Sequence, residues 1–223
     1  MSFRNSVTIV ASPRPRVGKT LLARLLTDFH LQEGRAVAAF DLNAGEGTLA
    51  QFLPEHVTRS AIDDIKGQMA LFDRLIADDG TTKIVDLGHA SFEPFFALAH
   101  QFGFAEEARS RGIAPAVLYL LTPDRTSVEA YRSLRSRLSE AMLVPVHNEI
   151  LGAAQYRDKY GLMGQRYGGR AASGAGAGLA QIRRDAAVLV RGFTACRRAR
   201  YADRRQHRAA TLVAAFLSGV PGT

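Results

Sequence analysis

Residues 12–20 read Ser12-Pro13-Arg14-Pro15-Arg16-Val17-Gly18-Lys19-Thr20 and follow a short apolar run. The last three residues match the end of a Walker A loop, G-x-x-x-x-G-K-[ST], in which backbone N–H groups surround phosphates and the lysine reaches the terminal ones. Pro13 stands where that pattern has its first glycine. The stretch therefore predicts binding of a nucleoside triphosphate with Mg²⁺ by a loop whose first half departs from the pattern.

Alternating apolar segments around this loop predict a β-α repeat. Strands are predicted at 7–11, 36–40, 83–87, 116–121 and 141–146, and helices at 20–33, 62–77, 92–110 with a break near Gly103, and 125–140. Gly34 is expected to end the first helix, and the second is expected to carry Ile65, Met69, Phe72 and Ile76 on one face. This order is typical of the α/β class: a three-layer, doubly wound, mostly parallel sheet with helices on both faces, as in the P-loop NTPase fold.

The charge of the chain is unevenly distributed. Residues 1–150 carry 16 Lys/Arg and 18 Asp/Glu, whereas residues 151–223 carry 13 and 3. We expect a nucleotide-binding domain over 1–160, a Gly/Ala-rich linker or loop over 161–180, and an arginine-rich, amphipathic helical tail over 181–223. A shifted reading frame in GC-rich DNA is the alternative source of the tail's Ala/Arg/Gly composition.

Two general features narrow the class of protein. No segment approaches the roughly 20 consecutive apolar residues that a membrane span requires. The single Cys196 excludes an intrachain disulfide. We therefore expect a cytoplasmic protein.

Aspartates close two of the predicted strands, at the edge where parallel sheets hold their ligands. Asp41 follows the second strand and Asp86 ends the third. Lys19 is expected to contact the β- and γ-phosphates, and Thr20 to bind Mg²⁺ together with Asp86 in the Walker B role and Asp41. His89 lies three residues past Asp86 and is a candidate for approaching the γ-phosphate; a solvated loop histidine is the alternative.

Three segments, taken in order, resemble the ParA/MinD type of P-loop ATPases with a deviant Walker A motif. They are residues 13–20, Phe40-Asp41-Leu42-Asn43 and Val85-Asp86-Leu87-Gly88. The resemblance covers roughly residues 5–150. It implies ATP and Mg²⁺ as ligands, an ATP-dependent homodimer, and weak ATPase activity.

The match to the family's motif is uneven. Arg14 occupies the position of the family's signature lysine. The resemblance implies that its side chain contacts the phosphates bound by a dimer partner. Pro15 and Arg16 replace two glycines of the motif. Proline has no N–H to donate to a phosphate. Asp41 matches the first aspartate of the D-x-D segment, but Asn43 replaces the second, and an amide cannot act as a base. The resemblance thus implies nucleotide binding more firmly than hydrolysis.

The resemblance also implies the residues of the site. The catalytic set is Lys19, Arg14, Asn43 and Asp41. The nucleotide-contacting set is Arg14, Pro15, Arg16, Val17, Gly18, Lys19, Thr20, Leu21 and Asn148. Asn148 resembles the asparagine that contacts adenine in this family, and a strand-end turn residue is the alternative.

Members of the family position plasmids, chromosomes or other cargo, usually through DNA binding without sequence preference. The residues expected to contact DNA phosphates are Arg183, Arg184, Arg197, Arg198, Arg200, Arg204, Arg205 and Arg208. Three alternatives stay open: a basic helix on a membrane surface, a non-hydrolysing adaptor with a protein partner, and a metabolic ATP-dependent synthetase on the same fold.

Overall fold

The computed structural model describes residues 5–43, 48–138, 140–148 and 151. The chain divides into two units between Pro145 and Val146. The predicted linker, the basic tail and its arginines lie outside the described residues. In chain order the elements are β1 (Asn5–Ala11), α1 (Lys19–Gln32), β2 (Val37–Leu42), α2 (Thr48–Phe52), β3 (Val57–Arg59), α3 (Ile65–Leu75), β4 (Thr82–Leu87), α4 (Phe92–Gln101), α5 (Phe104–Ser110), β5 (Ile113–Leu121), α6 (Arg125–Arg137) and β6 (Met142–His147).

Six strands form one sheet in the order β3-β2-β4-β1-β5-β6. β1 pairs in parallel with β4 and β5, and β2 pairs in parallel with β3 and β4. From β1 to β3 the chain moves across the sheet in one direction, and from β3 to β6 it moves in the other. With right-handed crossovers, this reversal places α1 and α2 on one face and α3 to α6 on the opposite face. The predicted α/β class and doubly wound sheet are confirmed.

β1 is buried on both faces, which is typical of a central strand in a parallel sheet. Val7, Ile9 and Ala11 belong to one buried cluster with phenylalanines of α3, α4 and α5. Thr8 and Val10, on the opposite face of the strand, are 1% and 0% exposed. The loop that follows β1 therefore starts from a strand fixed on both sides.

α3 corrects one prediction. The helix is shorter than expected, because Asp64 caps its start by accepting a hydrogen bond from the backbone N–H of Gly67 at 2.6 Å. Ile65 and Met69 are 74% and 58% exposed, so only Phe72 and Ile76 of the predicted apolar face pack in or against the core. The buried side chains are Leu71, Phe72 and Leu75, roughly a quarter turn away at 100° per residue.

Two short elements, α2 and β3, were not predicted. β3 is a three-residue edge strand whose Thr58 and Arg59 are exposed, so it lacks an apolar alternation. The break in the predicted helix near Gly103 is observed, with Gly103 at φ 60° between α4 and α5. Among the described residues, no helix is long and apolar enough to cross a membrane.

His30 on α1 is expected to destabilise the folded protein in mild acid. His30 is 4% exposed, and its burial, together with the nearby Arg35 cation, lowers its pKa to about 4. An unfolded histidine titrates near pH 6.5, so between these values the unfolded chain binds a proton that the folded chain does not. The His30 contribution to the free energy of unfolding should therefore drop as pH falls from 6.5 toward 4, by up to about 3 kcal/mol, whereas the raised pKa of Asp86 acts in the opposite direction below about pH 6.

Urea denaturation at neutral pH and at pH 5 measures this loss. The matched variant His30→Gln has no titrating group at this position, so from neutral pH to pH 5 its stability should fall less, or rise more, than that of the wild type. An equal pH dependence in both proteins would show that other groups cause the loss.

Candidate functional site

The loop between β1 and α1 turns through two left-handed residues. Gly18, the N-cap of α1, has φ 100°. Arg16 has φ 59° and is the one non-glycine residue with positive φ among the described residues. Arg16 occupies a position where the ParA/MinD-type ATPases that the sequence resembles carry glycine. The fold therefore keeps the left-handed turn of a glycine-rich loop, although the sequence supplies arginine.

Arg16→Gly is expected to be about 1 kcal/mol more stable than Arg16→Ala, because a Cβ in the left-handed region costs roughly 1–2 kcal/mol and glycine's extra freedom when unfolded offsets part of this. Both variants remove the exposed side chain, so their difference isolates the backbone strain. Thermal and urea denaturation measure it. Equal stabilities would show that position 16 is unstrained.

Lys19 is the first residue of α1 and is 6% exposed. Its Nζ donates a hydrogen bond to the Arg14 backbone carbonyl at 2.7 Å. Burial lowers the pKa of the ammonium below its usual range, and the Asp86 carboxylate opposes this shift. The loop's own carbonyl thus holds a largely desolvated cation at the start of a helix.

Asp86, at the end of β4, receives two hydrogen bonds on one oxygen. Thr20 Oγ1 donates to Oδ2 at 2.7 Å, and Asn43 Nδ2 donates to the same atom at 2.9 Å. Within the described part of the chain, Oδ1 is buried and has no hydrogen-bond partner. Burial raises the pKa of Asp86 to about 6; the Asp41 charge adds to this rise, whereas the Thr20 and Asn43 hydrogen bonds and the Lys19 charge oppose it.

These oxygens fit a magnesium ion. Mg²⁺ prefers hard oxygen ligands and usually takes only one or two from the protein, with water and phosphate supplying the rest. The Thr20 hydroxyl and the Asp86 carboxylate supply such ligands, and a cation would satisfy the unpartnered Oδ1. The described residues contain no group of three or more His, Cys, Asp or Glu side chains able to hold a metal.

Asp41 lies beside Asp86, opposite it in the register of β2 and β4. It is 2% exposed. Its Oδ1 accepts hydrogen bonds from Asn43 N at 3.0 Å and Nδ2 at 2.7 Å, while Oδ2 accepts from Leu49 N at 2.9 Å and Ala50 N at 3.1 Å. Asp41 therefore caps α2 and orients Asn43, and its proposed metal contact stays a prediction.

Gly88 allows the ends of β2 and β4 to meet closely. A Cβ on Gly88 would lie 2.7 Å from the Leu42 carbonyl oxygen and 3.1 Å from the Asn43 Cα. Any side chain there would push Asn43 away from Asp86. The sequence analysis quoted this glycine but gave it no role; its place two residues after a strand-ending aspartate was the available signal.

Arg14 is bound within its own chain. Its Nε donates to Asp124 Oδ1 at 2.9 Å, and Nη2 forms a short ion pair with the same oxygen. Burial would raise the pKa of Asp124, but the hydrogen bonds from Arg14, Thr122 and Ser127 outweigh it and lower the pKa to about 2. Asp124 also caps α6. Sequence reasoning missed Asp124, and the reach of Arg14 to a dimer partner stays a prediction.

An open pocket of about 310 Å³ lies between the loop after β1, Asn43 and the segment after β4. Among the residues expected to contact nucleotide, Arg14 is engaged with Asp124, Val17 is buried, and Asn148 is buried in the second unit. The pocket is lined by Pro15, Arg16, Gly18, Lys19, Thr20, Leu21, Asn43 and His89.

Fold and site together define a parallel α/β protein whose first helix begins with a lysine and a threonine beside a buried carboxylate. No family model matches the chain, and no curated protein matches it in sequence. Among solved structures, it is similar to a nucleotide-binding protein of Archaeoglobus fulgidus in complex with ADP. That similarity has 13% identity, covers 65% of this chain and 67% of the other, and has a TM-score of 0.40.

Proposed function

We infer that this protein binds a nucleoside triphosphate, ATP in our proposal, together with Mg²⁺ in the pocket that follows β1. The observation that carries this is the 2.7 Å hydrogen bond from Thr20 Oγ1 to Asp86 Oδ2, beside the buried Lys19. This arrangement joins a hydroxyl, a carboxylate and an ammonium at the N-terminus of a 14-residue helix, where backbone N–H groups and the helix dipole favour phosphate.

Each side chain then has a defined task. The Lys19 ammonium exchanges its bond to the Arg14 carbonyl for the β- and γ-phosphates, and Thr20 and Asp86 hold the cation. Mg²⁺ supplies neutralisation of phosphate charge. Pro13 and Pro15 donate no N–H, so the exposed Arg16 guanidinium offsets their absence through charge-assisted hydrogen bonds.

We further propose that the protein is a nucleotide switch of the ParA/MinD type that forms an ATP-dependent homodimer and hydrolyses ATP slowly. The order of its motifs supports this, together with Arg14 at the signature position with a side chain that is 41% exposed. The same proposal includes binding to DNA through the basic tail, and only the sequence supports this part.

A second candidate, a nucleotide-binding module without hydrolysis, is favoured by the placement of Asn43. Its Nδ2 donates to Asp41 Oδ1 at 2.7 Å and to Asp86 Oδ2 at 2.9 Å. The amide thus bridges two carboxylates at the position where the resembling family orients the attacking water, and it cannot accept a proton from that water.

One set of measurements tests both candidates on the full chain. Calorimetry would give the affinities for ATP, ADP and AMP with Mg²⁺ and with EDTA, light scattering the mass in each state, and a phosphate assay the turnover with and without duplex DNA. Binding of ATP with a doubled mass and phosphate release supports the switch. Binding without phosphate release under every condition supports the module, and no binding of ATP contradicts both.

A further inference from the structure

Thr48 is a second hydroxyl at the cation-binding end of the pocket. It is the first residue of α2, it is half-buried, and its Oγ1 lies 3.3 Å from Thr20 Oγ1. Thr20 is the second residue of α1, 28 positions earlier in the chain. No motif in the sequence drew attention to Thr48, and the roles assigned above do not use it.

The direction of the hydrogen bond between the two threonines follows from the donor count. A hydroxyl has one hydrogen, and Thr20 already donates its own to Asp86 Oδ2 at 2.7 Å. Thr48 must therefore be the donor, and Thr20 accepts through a lone pair. A hydroxyl oxygen has two lone pairs, so Thr20 Oγ1 retains one for a cation while it accepts the hydrogen bond from Thr48.

The spacing of the oxygens suits a shared cation. Adjacent ligands of an octahedral Mg²⁺, each about 2.05 Å from the metal, lie about 2.9 Å apart. Thr48 Oγ1 lies 3.3 Å from Thr20 Oγ1, and Asp86 Oδ2 lies 2.7 Å from the same Thr20 atom. A shift of a few tenths of an ångström thus brings both hydroxyls to the spacing of neighbouring ligands.

α2 is tied to the same cluster through its backbone. Leu49 N and Ala50 N donate to Asp41 Oδ2, and Asp41 is linked to Asp86 through Asn43. A cation that binds the Thr48 hydroxyl therefore acts on the first turn of a five-residue helix whose next two backbone N–H groups are bound to Asp41 in the same cluster.

We propose that Thr48 Oγ1 is a second hydroxyl ligand of the nucleotide-bound Mg²⁺ and that it couples occupancy of the cation site to α2. The proposal rests on the proposed nucleotide binding. It assigns to this chain a cation contact on α2, in addition to those of Thr20 at the start of α1 and Asp86 in β4.

The test compares Thr48→Val, which keeps the branched shape without the hydroxyl, with Thr48→Ser, which restores the hydroxyl. Affinity for a fluorescent ATP analogue is measured in excess Mg²⁺ and in excess EDTA. Thr48→Val should reduce the enhancement by Mg²⁺ about tenfold and leave the affinity in EDTA unchanged. Thr48→Ser should recover the enhancement, and Thr58→Val, on the exposed edge strand, should match the wild type.

Hydrogen exchange at Leu49 and Ala50 is the second readout. Addition of Mg²⁺ and ATP should slow exchange in the wild type and in Thr48→Ser but not in Thr48→Val. An unchanged Mg²⁺ enhancement in Thr48→Val overturns the proposal, as does an equal loss of affinity in Mg²⁺ and in EDTA, which would indicate a phosphate contact. A wild type that binds no nucleotide in either buffer overturns the proposed function itself.

Discussion

Lys19→Ala is expected to lower the affinity for ATP by at least about 100-fold, because the ammonium makes charge-assisted hydrogen bonds to two phosphates, each worth roughly 1.5–3 kcal/mol. AMP lacks those phosphates, so its affinity should change by no more than about twofold. The ammonium is already desolvated in the folded protein, which removes part of the cost of binding. Calorimetric titration with ATP, ADP and AMP measures the effect.

The control for Lys19→Ala is Lys66→Ala, which removes an exposed lysine of α3 outside the pocket. It should bind ATP as the wild type does. Lys19→Ala loses only one hydrogen bond, to the Arg14 carbonyl, so its free energy of unfolding should stay within about 1 kcal/mol of the wild type. Equal losses of ATP and AMP affinity would contradict a contact of Lys19 with the terminal phosphates.

The fold could be predicted because its main elements carry local signals. β1 and β4 are short apolar runs, the break between α4 and α5 coincides with a glycine, and α1 has apolar residues at helical spacing. α2 has no such signal. Its first free N–H groups, on Leu49 and Ala50, are capped by Asp41 from the preceding strand, and a cap supplied through tertiary structure cannot be recognised from neighbouring residues.

The same distinction holds at the site. The sequence paired Thr20 with Asp86 because both belong to motifs with known spacing from a strand, and the structure places them in hydrogen-bond contact. Arg14 and Asp124 lie 110 positions apart, and nothing in the sequence links an arginine in a loop to the cap of α6. The contact of Thr48 with Thr20 likewise depends on how α2 folds back, which composition and periodicity do not reveal.

Asp41→Ala is expected to lower the free energy of unfolding by about 4 kcal/mol, because four donors around a buried carboxylate would lose their acceptor. Asp41→Asn should cost about 2 kcal/mol, since the new NH₂ group cannot accept hydrogen bonds from the two N–H groups of α2. Urea denaturation without nucleotide measures both losses.

Asp86→Asn is the matched variant on the adjacent strand, at the same register and depth. Its stability should equal or exceed that of the wild type, because burial already disfavours the charged carboxylate. The variant should, however, lose the Mg²⁺ enhancement of ATP binding. In the wild type, the unpartnered Oδ1 of Asp86 and the hydrogen bond from Thr20 to Oδ2 define the proposed cation site. Asp41 would then maintain the fold and Asp86 would hold the cation. A stable Asp41→Ala variant that loses only the Mg²⁺ effect would instead make Asp41 a metal ligand.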